Sequence, residues 1–239
     1  MFRTILFHLL FWIEQVCTLP WLVYGLWLER RGHTARLRSL AARRNRIWSR
    51  LQLAWGGVRV RVHGAVDVPP GRGAVVVSNH QGAFDIPILG SCLGRDVAFI
   101  AKIELARVPI AGTWMRFMGC QFINRSDRRQ SLAVFKAAGK LLQEGAWIVI
   151  FPEGTRSHRQ EMAPFKKGSV SLAVKAGVPV VPVAISNSWK IQAAGMDPIR
   201  PGTVDLHILP SIDPARLSPP ELDDLSEKVQ AEIAAKLAP

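Results

Sequence analysis

The sequence predicts an α/β fold: a mixed, largely parallel sheet flanked by helices, with an N-terminal membrane-associated helical hairpin. Two patterns predict the sheet. Short β-branched runs recur at Val58–Val62, Ala74–Val77, Val97–Ala101, Cys120–Ile123, Trp147–Phe151, Val180–Ile185 and Val204–Leu209. Helical stretches separate several of them, and this alternation is the pattern of α/β architecture. The third pattern lies at the N-terminus, where an apolar, aromatic-rich segment runs into a block of arginines.

Residues 4–28 carry a single charge, Glu14, and include Trp12, Trp21, Tyr24 and Trp27. From Glu29 to Arg61, ten arginines stand against one acid, a surplus of nine out of the chain's net +13. That order is the pattern of a membrane-associated N-terminus whose basic side faces the cytoplasm, and it implies the cytoplasmic face of a bacterial inner membrane. A cleaved signal peptide fits poorly, because Arg3 is the only early cation and no small-x-small site follows. A spanning helix needs about 20 apolar residues. Glu14, Gln15 and Pro20 interrupt such a span, which favours a segment in one leaflet paired with the next helix.

That next helix, about Thr34 to Trp55, sets Leu37, Leu40, Ala41, Ile47, Leu51 and Ala54 near one face and arginines around the rest. Such a helix binds anionic headgroups; a solvated helix covering the core has the same pattern. The adjoining apolar segment argues against nucleic acid as the partner of these arginines. Residues 1–56 are therefore expected to form the membrane-associated helices and residues 57–239 the α/β domain.

Within that domain, Asp127–Glu144 is expected to be helical, capped by Ser126 and stopped by Gly145. Lys166–Ala176 should end at Gly177, ahead of Pro179, and Ser218-Pro219-Pro220-Glu221 should open a packing helix to about Leu237. At 49% hydrophobic, without repeats, the chain is neither disordered nor a coiled coil, and its 239 residues are ample for a core. Cys17, Cys92 and Cys120 are too few and too scattered for a disulfide framework or a CxxC zinc site. The sequence contains no GxGxxG, Walker loop, HExxH or GxSxG, so dinucleotide and covalent-serine chemistry have no support.

What remains is two loops at strand ends. The first, Asn79-His80-Gln81-Gly82-Ala83-Phe84-Asp85, follows the run Ala74–Val77. With His80 in the loop and Asp85 in the first helical turn, carboxylate can meet imidazole, leaving the other ring nitrogen as a general base. A histidine that merely caps the helix or bonds backbone has the same spacing. The second loop, Phe151-Pro152-Glu153-Gly154-Thr155-Arg156-Ser157, follows the run Trp147–Ile150. Arg156 there suits bidentate phosphate binding, with backbone N–H groups adding to an anion nest. Equally, Arg156 and Glu153 could pair with each other.

Taken in order, His80-x4-Asp85, then Gly119-Cys120-Gln121-Phe122-Ile123-Asn124-Arg125, then Phe151–Ser157, then Val178-Pro179-Val180-Val181-Pro182-Val183-Ala184-Ile185 resemble the four motifs of the glycerolipid acyltransferases. The likeness is to the 1-acyl-glycerol-3-phosphate acyltransferase type and covers about Val58 to Leu209; Lys102-x-Glu104-Leu105 and Phe165-Lys166-Lys167-Gly168 add to it. One position departs: Gly82 stands where the family often has a serine.

The resemblance implies transfer of an acyl chain from acyl-CoA or acyl carrier protein to the sn-2 hydroxyl of lysophosphatidic acid. It gives His80 and Asp85 the catalytic roles, and Lys102, Arg125, Glu153, Gly154, Thr155 and Arg156 the substrate. Of these, Arg156, Lys102 and Arg125 would hold the phosphate, and Glu153 would bond the glycerol hydroxyl or hold Arg156. It implies neither a metal nor a bound cofactor. Related enzymes act on other acceptors, such as glycerol-3-phosphate, lyso-ornithine lipid or other lysophospholipids, and a non-catalytic membrane-surface protein is the reading from another class.

Overall fold

A computed structural model describes residues 1–124, 126–166, 168–192 and 197–237. The apolar N-terminus folds as α1 (Phe2–Cys17) and α2 (Leu19–Arg30), which break at Thr18 and bend by 45°. Pro20 sits in the first turn of α2, where its missing N–H costs no helical hydrogen bond. Among the described residues no single helix is long and apolar enough to cross a membrane; the bent pair together has the length and composition.

The arginine-rich helix α3 (Thr34–Gly56) follows and ends at Gly57 in the left-handed conformation, φ 69°. Its narrow apolar face packs Leu37 and Ala41 against Leu22 and Leu28 of α2. The hairpin is not merely appended. Phe7 packs on Phe84 at 5.6 Å, and Thr4 Oγ1 accepts from the Ile199 N–H at 2.9 Å.

From Val58 the described residues form a seven-stranded sheet: β1 (Val58–His63), β2 (Ala74–Ser78), β3 (Val97–Lys102), β4 (Gln121–Ile123), β5 (Trp147–Ile150), β6 (Val180–Ser186) and β7 (Gly202–Ile208). Every run predicted from the sequence is a strand. Their order is β1-β7-β6-β2-β5-β3-β4, with every neighbouring pair parallel except β6 and β7. The strands β2, β5 and β6 are buried throughout, as continuous apolar runs covered on both faces should be.

The connections are α4 (Asp85–Cys92), α5 (Ala111–Phe117), α6 (Arg128–Gln143), α7 (Ser171–Ala176), α8 (Ser188–Ile191), α9 (Pro219–Asp223) and α10 (Leu225–Leu237). Three differ from expectation. The N-cap of α6 is Asp127, whose carboxylate accepts from Gln130 N–H at 2.9 Å, and not Ser126, whose hydroxyl turns back to Asn124. The helix expected from Lys166 starts only at Ser171, because Gly168 takes a positive φ of 84° just before it. The C-terminal helix breaks at Asp224 into α9, opened by the Ser218–Glu221 capping box, and α10, which buries Leu225, Val229 and Ile233.

Candidate active site

Because β2, β3, β5 and β6 run parallel, their C-terminal ends open on one side of the sheet, where α/β proteins keep their sites. The end of β2 is fastened first. Asn79 accepts from Ile185 N–H at 2.8 Å and donates to Ile185 O at 2.9 Å, imitating a strand partner on β6. His80 follows, and a short turn delivers Asp85 into the first turn of α4.

His80 Nδ1 lies 2.6 Å from Asp85 Oδ2. The same oxygen accepts the N–H groups of Gln81 at 2.7 Å and Gly82 at 2.9 Å. An ionised carboxylate only accepts, so in this contact Nδ1 is the donor and Nε2 is the nitrogen left over. Among the described residues no hydrogen bond engages Nε2, and His80 lines a cavity of about 2170 Å³. Phe151 stacks on the imidazole at 4.0 Å and 17°, fixing the ring plane. The sequence marked Phe151 as the end of a strand run and the start of a motif; apolar residues at a strand's end carry no signal for such a contact.

Glu153 is buried, and it bonds neither Arg156 nor an open position. Its Oε1 accepts the N–H of His80 at 2.6 Å and its Oε2 that of Ala163 at 2.8 Å. Burial pushes this carboxyl above its ordinary range, and the two N–H bonds pull the other way. The loop is fastened further by Ser157 N–H to His80 O at 2.8 Å and His158 N–H to Gln81 O at 3.2 Å. Gly154 sits at φ 76°, a conformation that glycine adopts without steric cost.

Lys102, Gly154, Thr155, Arg156 and Lys166 line the same cavity as His80. Arg125 lies outside the described residues. The cavity also has an apolar wall that includes Ile86, Ile100, Met115 and Ile123. Cys120 lines it too, but burial pushes its thiol up to about 12, so it stays protonated and is no nucleophile. No group of metal-ligating side chains occurs among the described residues. A histidine paired with a carboxylate thus shares one cavity with the cationic side chains of Lys102, Arg156 and Lys166 and an apolar wall.

The chain belongs to the acyltransferase family, whose model, described as Acyltransferase, matches residues 59–186. It is 38% identical over 172 residues to a 1-acyl-sn-glycerol-3-phosphate acyltransferase of Chlamydomonas reinhardtii, covering 72% of this chain and 50% of that relative. The human 1-acyl-sn-glycerol-3-phosphate acyltransferase alpha is 34% identical over 73% of this chain and 62% of its own length. This chain thus spans only about half to three-fifths of those two relatives. A bacterial relative, from Borreliella burgdorferi, is 30% identical over 79% of this chain and 75% of its own. The fold is also that of the crystal structure of the 1-acyl-sn-glycerophosphate (LPA) acyltransferase PlsC from Thermotoga maritima, with a TM-score of 0.84 and 29% identity. That match covers 99% of this chain and 93% of the other.

Proposed function

We propose that this protein transfers a fatty acyl chain from a thioester, acyl-CoA or acyl carrier protein, to the sn-2 hydroxyl of lysophosphatidic acid, giving phosphatidic acid. The observation that carries the reading is the His80–Asp85 contact, with His80 lining a cavity that Lys102 and Arg156 also line. An alcohol is a poor nucleophile at neutral pH. His80 Nε2 takes the hydroxyl proton as the oxygen attacks the thioester carbonyl carbon, and Asp85 steadies the imidazolium that forms. The tetrahedral intermediate collapses with loss of the thiolate, which takes the proton back from His80. The products are an ester and a free thiol.

Lys102 and Arg156 hold the acceptor's phosphate, and the apolar wall takes acyl chains. The cavity volume exceeds the usual span of about 300–1,000 Å³ for a single small ligand, which suits two long-chain substrates. The N-terminal hairpin seats the protein on the lipid surface. Thirteen of the seventeen large hydrophobic side chains exposed among the described residues lie within residues 1–28. A patch of that size on a water-facing surface marks an interaction site.

Turnover of purified protein on a panel of lysolipids with one acyl-CoA tests the reading. Lysophosphatidic acid should be the preferred acceptor, and Arg156→Ala should raise its KM by roughly 10- to 100-fold, the loss of one charge-assisted bond. Preference for an uncharged lysolipid would overturn the phosphate role. Retention of activity by His80→Ala, where a loss of about 10² to 10⁴ is expected, would overturn the base.

A further inference from the structure

We propose that Ser188, at the start of α8, is a positioning residue for the His80–Asp85 pair, its hydroxyl fixing the second carboxylate oxygen and through it the imidazole. The inference rests on the reading of His80 as base and adds a residue that lies outside all four motifs.

Asp85 and Ser188 are both fully buried. The three donors on Asp85, from His80, Gln81 and Gly82, all meet Oδ2. The remaining oxygen, Oδ1, receives one described hydrogen bond, from Ser188 Oγ. A buried carboxylate oxygen left without a donor is costly, so this bond is what allows both oxygens to stay charged and still. Ser188 has one hydroxyl hydrogen to give. Gln81 Oε1, 3.3 Å from Oγ, already accepts the Ser188 N–H at 3.1 Å, and the charged carboxylate is the stronger acceptor. The hydrogen therefore goes to Asp85.

The backbone is shaped to bring this hydroxyl in. At the end of β6, Asn187 takes a left-handed φ of 70°, which asparagine tolerates better than most residues, and α8 begins immediately after it. Gly82 supplies the space: a Cβ there would stand 2.7 Å from Gln192 O and 3.2 Å from Ser188 O. Where the acyltransferase pattern often places a serine, this chain has no side chain, and a hydroxyl arrives from the start of α8 instead. Gly82 and Ser188 thus work as a pair, the first admitting the second.

The expected effect has a sign. Without the Ser188 donor, charge on Asp85 is less dispersed and holds the His80 imidazolium more firmly, so His80 loses its proton at higher pH. The other titratable groups include Glu153, on the His80 N–H, and Lys102, Glu104, Arg156, His158 and Lys166 along the cavity. All are unchanged in the variant.

The experiment is the pH dependence of kcat/KM for wild type and Ser188→Ala, using the acceptor that wild type turns over best. The acidic limb should move upward by about half a unit or more, and plateau kcat should fall about tenfold, with acceptor KM little changed. Gly82→Ala should produce the same shift by pushing α8 outward. If Ser188→Ala does not fold, Ser188→Cys, of similar volume and a weaker donor, carries the same test. An unmoved acidic limb overturns the proposal, even if thermal stability drops. Absence of acyl transfer by wild type would instead overturn the functional reading on which it rests.

Discussion

At the scale of single residues, the carboxylate of Glu153 joins the two loops of the site. Both of its oxygens are occupied by backbone N–H groups, one of them on the base itself. These bonds tie Glu153 to the backbone of His80 and of Ala163. Glu153→Gln keeps the shape but turns an amide N–H₂ toward one of those donors. The expected outcome is a loss of about 1–3 kcal/mol in stability by urea denaturation, with kcat reduced and acceptor KM unchanged. A rise in KM alone would place Glu153 on the glycerol, as the resemblance suggested. The composition of the loop was legible in the sequence; the direction of its carboxylate was not, because that depends on where a strand 73 residues away ends.

At the scale of elements, the N-terminal hairpin combines two surfaces of opposite demand. One face enters the core through Phe7, Leu22 and Leu28, and the other leaves Trp12, Trp21 and Trp27 about half exposed. The exposed face should drive binding to phosphatidylglycerol vesicles, and Ile13→Asp with Trp21→Asp should weaken partition at least tenfold in a sedimentation assay without lowering the unfolding midpoint. Equal binding by the variant would end the hairpin's role. Hydropathy marked the segment as apolar and aromatic, and many of those side chains stand exposed. It did not foretell the docking, which turns on close approaches. A Cβ on Gly25 would stand 2.7 Å from Phe117, and one on Gly90 in α4 would stand 2.5 Å from Ser49 Oγ of α3. Small residues at such crossings look ordinary until the partner helix is known.

At the scale of the whole molecule, β1 closes one edge of the sheet by pairing with β7, and titratable groups lie along that seam. His63 bonds Asp205 at 2.9 Å and stacks on His207 at 4.4 Å. Burial holds His207 below the usual histidine range, and the facing His63 adds to this, while Asp205 opposes it and Lys236 reinforces it. A histidine whose folded value is depressed contributes stability above its unfolded value near 6.5, and that stability is lost as pH falls through the folded value. The thermal midpoint should therefore decline as pH drops below about 6.5, and His207→Gln should flatten that decline. An identical slope in the variant would exclude His207 as its source.

By itself, the sequence determined which segments are strands, where the polar loops fall at their ends, and that an apolar and then basic N-terminus precedes them. Those are local properties, written in the periodicity of neighbouring side chains and in turn residues such as Gly145 and Gly177. Only the tertiary structure decided that β6 and β5 flank β2, so that Asn79 meets Ile185, Glu153 meets His80 and Ser188 meets Asp85. Strand order is set by the packing of the whole sheet, and no local pattern encodes which of seven similar apolar runs will lie side by side.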